Sequence, residues 1–382
     1  MPFRILESLG TRKYINILGV NSGTSADGLD LALVRLGGMR PDVILTKTYR
    51  FRASLRDRII AAGEPEFADG IEWLRLDAEL GTEMGKLAAK FVKKATAAGH
   101  RINLVAMHGQ TVRHLPETKI KTTYQIGDPN RLAAVTKIPV VSDFRRADIA
   151  VGGEGAPLSS ILHEVLFRDP RRWRAVVNIG GIANVTVLPP MDSRIPPFAG
   201  DCGPGNMIID RTMMMYLGRR YDRSGKVAAS GRAYMGVVEN VMGQPFFSKK
   251  PPKSTGRELF GAPFLKRIVS KMGISTAQDI VATVTEITIG GIVKFITEFS
   301  PAVKEILICG GGVHNEYIHR RLTEMMPGKR VMTTEALGYD PDYLEAVLWA
   351  YLGFRFVKER PIIMKNYTGA GKAYIPGRLC LP

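Results

Sequence analysis

The sequence predicts a two-lobed α/β chain with a duplicated core, and three observations carry that reading. Two strand–turn–strand segments with polar, glycine-rich turns, residues 17–36 and 174–188, lie roughly half a chain apart. A further apolar strand pattern at residues 305–309 runs into Gly310, Gly311 and Gly312 ahead of an expected helix. A length of 382 residues suits two domains of ordinary size, each able to bury its own core.

The first turn reads Ser22, Gly23, Thr24, Ser25, Ala26, Asp27, Gly28, Leu29, Asp30. Glycine lets backbone N–H groups come close to an anion, and hydroxyls add donors, so this stretch is expected to hold phosphates. Asp27 stands where a metal bridging phosphate oxygens would need a hard oxygen ligand. Leu80, Met84, Leu87, Ala88, Phe91 and Ala95 then recur at helical spacing. A short strand at 104–107 delivers His108 and Gln110, and another at 138–142 delivers Asp143 and Arg145. Polar residues at such strand exits line the crevice where open α/β sheets bind ligands. The lobe boundary is expected there, giving a first lobe of residues 1–142 plus 352–382 and a second of 143–351.

The second lobe opens on the Asn178 hairpin, with Gly180 and Gly181 at its turn. A proline-rich loop at 189–197 leads to Asp201, set among Gly200, Gly203, Pro204 and Gly205. Ile280, Val284, Ile287, Gly291 and Phe295 mark a core helix. A last helix carries Leu344, Val347, Leu348, Tyr351 and Leu352, with Glu345 near its start, where the helix dipole favours a carboxylate. Glu345 could instead hold a metal-bound water together with Asp27. Two phosphate loops and a triple-glycine strand end form the plan of the actin-like sugar kinases and Hsp70 ATPases. That plan is a duplicated ribonuclease H-like fold with the ligand cleft between its lobes.

Composition narrows the alternatives. Hydrophobic residues make up 45% and charged residues 23% of the chain, as in soluble globular proteins. No run of about eighteen apolar residues is free of charges and helix breakers, so no membrane partner is expected. The start carries no basic region followed by an apolar stretch. Cys202, Cys309 and Cys380 show no paired spacing, and a reducing, cytoplasmic setting is expected. The net charge of +17 is scattered, without a basic run or aromatic platform, so it is read as a solvated surface that steers anions such as ATP. No nucleic-acid partner is expected. Neither a P-loop nor a G-x-G-x-x-G opening a helix after a strand occurs. A zinc-spaced His/Cys cluster and a G-x-S-x-G elbow are absent too.

Asp201 is the acid the pattern singles out. Small neighbours and a bent backbone suit a carboxylate exposed at the bottom of a cleft, where it could take a proton from an attacking hydroxyl or water. A turn or helix-capping aspartate is the other reading. Asp143 and Arg145 could orient a sugar through alternating donors and acceptors, or form a structural ion pair. His108 is either a satisfied strand-end histidine or a catalytic one.

The chain resembles the anhydro-N-acetylmuramic acid kinases, with levoglucosan kinases as close relatives. The matching blocks, in family order, begin with Ser22-Gly-Thr-Ser-Ala-Asp-Gly-Leu-Asp30, His108-Gly-Gln-Thr-Val112, Asp143-Phe-Arg-Arg-Ala-Asp-Ile149 and Gly155-Ala-Pro157. Asn178-Ile-Gly-Gly-Ile-Ala-Asn184, Gly203-Pro-Gly-Asn206, Lys253-Ser-Thr-Gly-Arg-Glu258 and Cys309-Gly-Gly-Gly312 follow. The resemblance implies an ATP- and Mg2+-dependent enzyme. Water attacks the anomeric carbon of a 1,6-anhydro sugar while the released O6 takes the γ-phosphoryl group, giving N-acetylmuramic acid 6-phosphate in cell-wall recycling. Asp201 maps to the family's general base, and Asp27 and Glu345 to residues that serve the magnesium or the reacting region. Residues expected on the sugar are His108, Gln110, Asp143, Arg145, Gly203 and Asn206. A homodimer is expected. Four positions depart from the family pattern: Asn21 for a usual methionine, Arg113 for an aromatic, Glu154 for glutamine and Cys202 for threonine. Asn21 looks more like levoglucosan kinase, whose long insertions are absent. The rivals are another anhydrosugar kinase and a non-catalytic ATP-responsive binding protein of the actin/Hsp70 type.

Overall fold

The computed structural model describes residues 2–382 apart from Thr24, Pro65 and Glu117, with side chains from residue 7 onward. The chain divides into two compact units. Unit 1 is Met1–Leu162, Tyr343–Lys365 and Gly369–Pro382, and unit 2 is His163–Asp342 with Asn366–Thr368. Residues 143–162 and 343–351 therefore fall in unit 1, where the sequence pattern put them in the second lobe. The reason is packing: Arg145 bonds His108, and the helix Leu344–Val357 lies on the central strand of the first sheet.

The sheet of unit 1 contains β1 (Ile15–Asn21), β2 (Gly28–Leu36), β3 (Asp42–Arg50) and β4 (Leu104–Met107). A side hairpin follows, β5 (Gln110–Leu115) with β6 (Thr122–Ile126), and then β7 (Val140–Ser142). In space the main sheet runs from the last strand, Arg378–Cys380, through β7, β4, β1 and β2 to β3. β1, β2 and β3 form an antiparallel meander, while β4 and β7 run parallel to β1. Alternation along the strands decides the faces. Leu18, Val20, Leu29, Leu31 and Leu33 pack with Leu80, Met84, Ala88 and Phe91 of the helix Gly70–Ala97. Asp69 starts that helix by accepting the N–H groups of Ile71 and Glu72. On the opposite face, a Cβ at Gly19 would stand 1.8 Å from the Ala346 carbonyl oxygen, so only glycine admits the helix Leu344–Val357 at this depth.

Unit 2 repeats the topology with β8 (Arg174–Ile179), β9 (Ile182–Leu188), β10 (Phe198–Pro204), β11 (Glu305–Cys309) and β12 (Arg330–Thr333). Its order is β10-β9-β8-β11-β12, again a meander with two parallel strands beyond its first strand. Apart from the added antiparallel strand Arg378–Cys380 in unit 1, two sheets of the same order and strand direction are the duplicated ribonuclease H-like plan. The segment around Asp201, expected to have a bent backbone, is a strand, and the bend is a bulge between Asp201 and Gly203. Odd-numbered residues of β8 and β9 face an apolar cluster with Ile280, Val284, Ile287 and Phe295 of the helix Ala277–Phe299. That helix is long and apolar enough to cross a membrane, but 78% of its most apolar window is buried inside the fold.

Lys253 is fully buried beside this cluster. Its ammonium donates to the Phe246 carbonyl at 2.8 Å and lies 4.5 Å from the Phe246 ring centroid. Loss of hydration lowers its pKa from 10.5 to about 8. Between those values the unfolded chain binds more protons than the folded one, so this group makes stability rise with pH across that window and fall as pH drops through about 8. Urea unfolding of wild type and Lys253→Met at a series of pH values checks this. The wild type should gain stability relative to the variant from about pH 8 to 10.5, and parallel curves would remove the effect from Lys253.

Candidate active site

In unit 1 the turn between β1 and β2 spans residues 22–27. The Ala26 N–H closes it on the Gly23 carbonyl at 3.0 Å, with Ala26 at φ 51°. Ser22 is buried and donates through Oγ to Gln110 Oε1 at 2.6 Å. Asp27 is half-exposed and its Oδ1 accepts from Arg56 Nε at 2.7 Å. Thr24, expected as a hydroxyl donor, lies outside the described residues. The expected phosphate loop is shorter than its motif, because Gly28, Leu29 and Asp30 belong to β2. A Cβ at Gly28 would meet the Tyr49 carbonyl oxygen at 2.3 Å, Leu29 is in the apolar core, and Asp30 accepts from Thr48 Oγ1 at 2.7 Å.

Asn21 ends β1 and connects several of the expected residues. Its Nδ2 donates to Glu345 Oε2 at 3.0 Å, and its Oδ1 accepts from Trp349 Nε1 at 2.9 Å. The Trp349 ring stacks on His108 with centroids 4.3 Å apart and planes at 12°. His108 Nδ1–H donates to the Gly109 carbonyl at 2.9 Å, and Nε2 accepts from Arg145 Nε at 2.7 Å. Burial first, and then the Arg145 charge, hold this imidazole well below its ordinary pKa. His108 is therefore the satisfied, neutral histidine that orients Arg145. Asp143 and Arg145 are not a pair. Asp143, at φ 63°, bonds Arg378 Nε at 2.9 Å, whereas Arg145 NH1 donates to the Gly155 carbonyl at 2.8 Å.

In unit 2, register places Asn178, Asn184 and Asp201 directly opposite one another across β8, β9 and β10. This row lies on the face away from the apolar cluster, because its neighbours Ile179, Ala183 and Cys202 are all in that cluster. Asp201 is buried, and its Oδ2 accepts the Thr255 N–H at 2.8 Å. Its own N–H donates to the Lys253 carbonyl at 2.8 Å, so the segment 253–255 fixes the carboxylate. The Gly180 and Gly181 carbonyls accept from Asn206 and Gly205 N–H groups at 2.7 and 2.9 Å. Asn206 also latches the hairpin through Nδ2 to the Ile179 carbonyl at 3.1 Å. Gly203, at φ 145°, faces Phe247 of the core, so neither it nor Asn206 is positioned by these contacts as a sugar ligand. Gly310, at φ 76°, packs so closely on Asn178 that a Cβ would stand 2.3 Å from Oδ1. A Cβ at Gly312 would stand 2.4 Å from Ile179, while Gly311 is more open.

No group of three or more His, Cys, Asp or Glu able to hold a metal occurs among the described residues. Mg2+ carried by a nucleotide keeps most of its waters and needs one or two carboxylates. Asp27, whose Oδ2 lies outside the Arg56 pair, and Glu345 supply that donor chemistry.

The family model for anhydro-N-acetylmuramic acid kinase matches residues 15–381. An anhydro-N-acetylmuramic acid kinase of Coxiella burnetii is 38% identical over 95% of this chain and 96% of its own length. One of Shewanella frigidimarina is 37% identical over 94% and 96%. The chain belongs to the anhydro-N-acetylmuramic acid kinase family. Members are phosphotransferases with an alcohol acceptor, and the match favours neither rival reading. A solved activator of 2-hydroxyisocaproyl-CoA dehydratase from Clostridium difficile, with bound ADPNP, aligns over 90% of this chain and 96% of its own at 12% identity and a TM-score of 0.42.

Within this kinase family three of the four departures acquire structural roles. Arg113 donates to the carbonyls of Ala62, Glu64 and Phe67 and lies 5.0 Å from the Trp73 ring centroid, tying down the loop after the helix Ala53–Ala62. Cys202 is the bulge residue, facing the core with its thiol donating to the Ala183 carbonyl, and burial pushes its pKa up. Glu154 precedes the glycine that receives Arg145 and whose N–H bonds Asp148. Asn21 orients Glu345. Neither Asn21 nor Asn184 stands out as a site residue in the sequence; counting strand register back from each turn is the signal that finds them.

Replacing Asn21 with leucine removes its bonds to Glu345 Oε2 and Trp349 Nε1. Loss of these partners should destabilise the fold by about 1–3 kcal/mol in urea unfolding and shift tryptophan emission. An unchanged midpoint and spectrum would show that neither contact matters.

Proposed function

We propose that this chain uses ATP to phosphorylate 1,6-anhydro-N-acetylmuramic acid at O6 while water opens the anhydro bridge. The single observation that carries the reading is Asp201: a buried carboxylate on a sheet edge, held by a backbone N–H at 2.8 Å within a polar row beside a glycine turn. Asp201 accepts a proton from water as the oxygen bonds to the anomeric carbon. The bond from that carbon to the bridging oxygen breaks, and the released O6 takes the γ-phosphoryl group as ADP leaves. Phosphoryl transfer asks mainly for positioning and charge neutralisation. The turn at 22–27 offers backbone and hydroxyl donors for phosphates, and Arg145, fixed by His108, offers a cation for an anionic group. Mg2+ bound with the nucleotide would neutralise phosphate charge, with Asp27 and Glu345 as its protein-side oxygens. A cytoplasmic setting is supported by three cysteines that are all buried and outside any disulfide.

Asp201→Asn keeps the size of the side chain but cannot accept the proton. Turnover should fall about 100- to 10,000-fold, with ATP binding by calorimetry nearly intact. Activity within a few-fold of wild type would take Asp201 out of the mechanism.

Specificity is a ratio of kcat/KM values. The muramic sugar should exceed levoglucosan at saturating Mg-ATP, since it carries a carboxylate suited to a chain of net charge +17. A higher constant for levoglucosan would reassign the sugar and leave Asp201 in its role.

A further inference from the structure

The two hairpins carry matching polar rows with different fates. In unit 1 the row is Asn21, Asp30 and Thr48, and in unit 2 it is Asn178, Asn184 and Asp201, each a set of directly opposed residues across the three meander strands. The first row is satisfied internally: Asp30 takes the Thr48 hydroxyl at 2.7 Å, and Asn21 bonds Glu345 and Trp349. The middle residue of the second row is not. Asn184 is 8% exposed, and its Oδ1 is buried with no hydrogen-bond partner among the described residues. Such an acceptor costs about 1–3 kcal/mol where folding leaves it dry, so it needs a reason.

Resting on the reading of Asp201 as general base, we infer that Asn184 is the second acceptor for the attacking water. Directly opposite residues on neighbouring antiparallel strands have Cβ atoms about 4.5–5.5 Å apart, so Asn184 and Asp201 project side by side. Oxygens on two such side chains can both be reached by one water, which hydrogen-bonds at about 2.7–2.8 Å. A water about to attack has two O–H groups. One proton goes to Asp201 as the new C–O bond forms, and the other O–H is held by Asn184 Oδ1, which aims the oxygen lone pair at the anomeric carbon. The amide neither gains nor loses a proton, and it adds no charge that would raise the pKa of the base. The middle strand of the row in unit 1 carries Asp30, an acid; an amide beside Asp201 leaves the second row with a single carboxylate.

The test uses Asn184→Ala and the near-isosteric Asn184→Asp, each with thermal unfolding, KM for ATP and sugar, kcat, and the pH profile of kcat/KM. Asn184→Ala should lower kcat on the order of 10- to 100-fold, as for a mispositioned reactant, with both KM values nearly unchanged. Asn184→Asp places a second carboxylate opposite Asp201 and should move the acid limb of the profile to higher pH. A merely structural asparagine would lower melting temperature without moving that limb. Turnover of Asn184→Ala within a few-fold of wild type, or an unmoved limb in Asn184→Asp, overturns the inference. If Asp201→Asn is inactive while Asn184→Ala is active, only the role of Asn184 fails; if Asp201→Asn is active, the base assignment fails with it.

Discussion

Strand register in the two antiparallel meanders is the constraint on which the remaining structure depends. Side chains alternate faces with a period of two, so a slip of one residue would exchange the core and the polar row together. In unit 2 the core demands Val177, Ile179, Ala183 and Val185 on one face. That demand alone puts Asn178, Asn184 and Asp201 on the other. The position of the carboxylate is thus enforced by apolar burial elsewhere in the same strands. The bulge at Cys202 then returns the chain to the core face and lets Gly203 pass against Phe247.

Duplication of one topology has left two sites with different electrostatics. In unit 1 the hairpin end is closed by partners: Asn21 holds Glu345 and Trp349, and Ser22 holds Gln110. The stack of Trp349 on His108 continues this into Arg145, so a carboxylate and a guanidinium are fixed through one aromatic layer. Partners of this kind are satisfied in low dielectric, which makes each bond strong and each deletion costly. Unit 2 keeps its acid beside an amide and fixes it through the backbone of residues 253–255. Preorganised groups of that sort need no rearrangement when charge develops.

Close backbone approach is the second device. Gly19 admits the helix Leu344–Val357 onto β1, and that helix carries both Glu345 and Trp349 to Asn21. Gly205 brings the helix Asn206–Leu217 onto the second turn, where its first N–H groups are used by the Gly180 and Gly181 carbonyls. The helix start therefore secures the hairpin. Both glycines are there for packing.

Both hairpins, the triple-glycine strand end and the long helices were legible in the sequence, because period-two and period-3.6 patterns and glycine turns are properties of neighbouring residues. The bend at Asp201 was legible as well, through its small flanking residues. The tertiary structure alone decided which polar groups meet. Asn21 and Glu345 are 324 residues apart, and Arg145 reaches His108 from a different strand end. It also decided that Gly28, Leu29, Gly203 and Asn206 serve the framework and that Asp143 pairs with Arg378. Local pattern sets which face a side chain takes, but contacts between distant segments follow from how elements stack, and a one-dimensional period carries no record of that stacking.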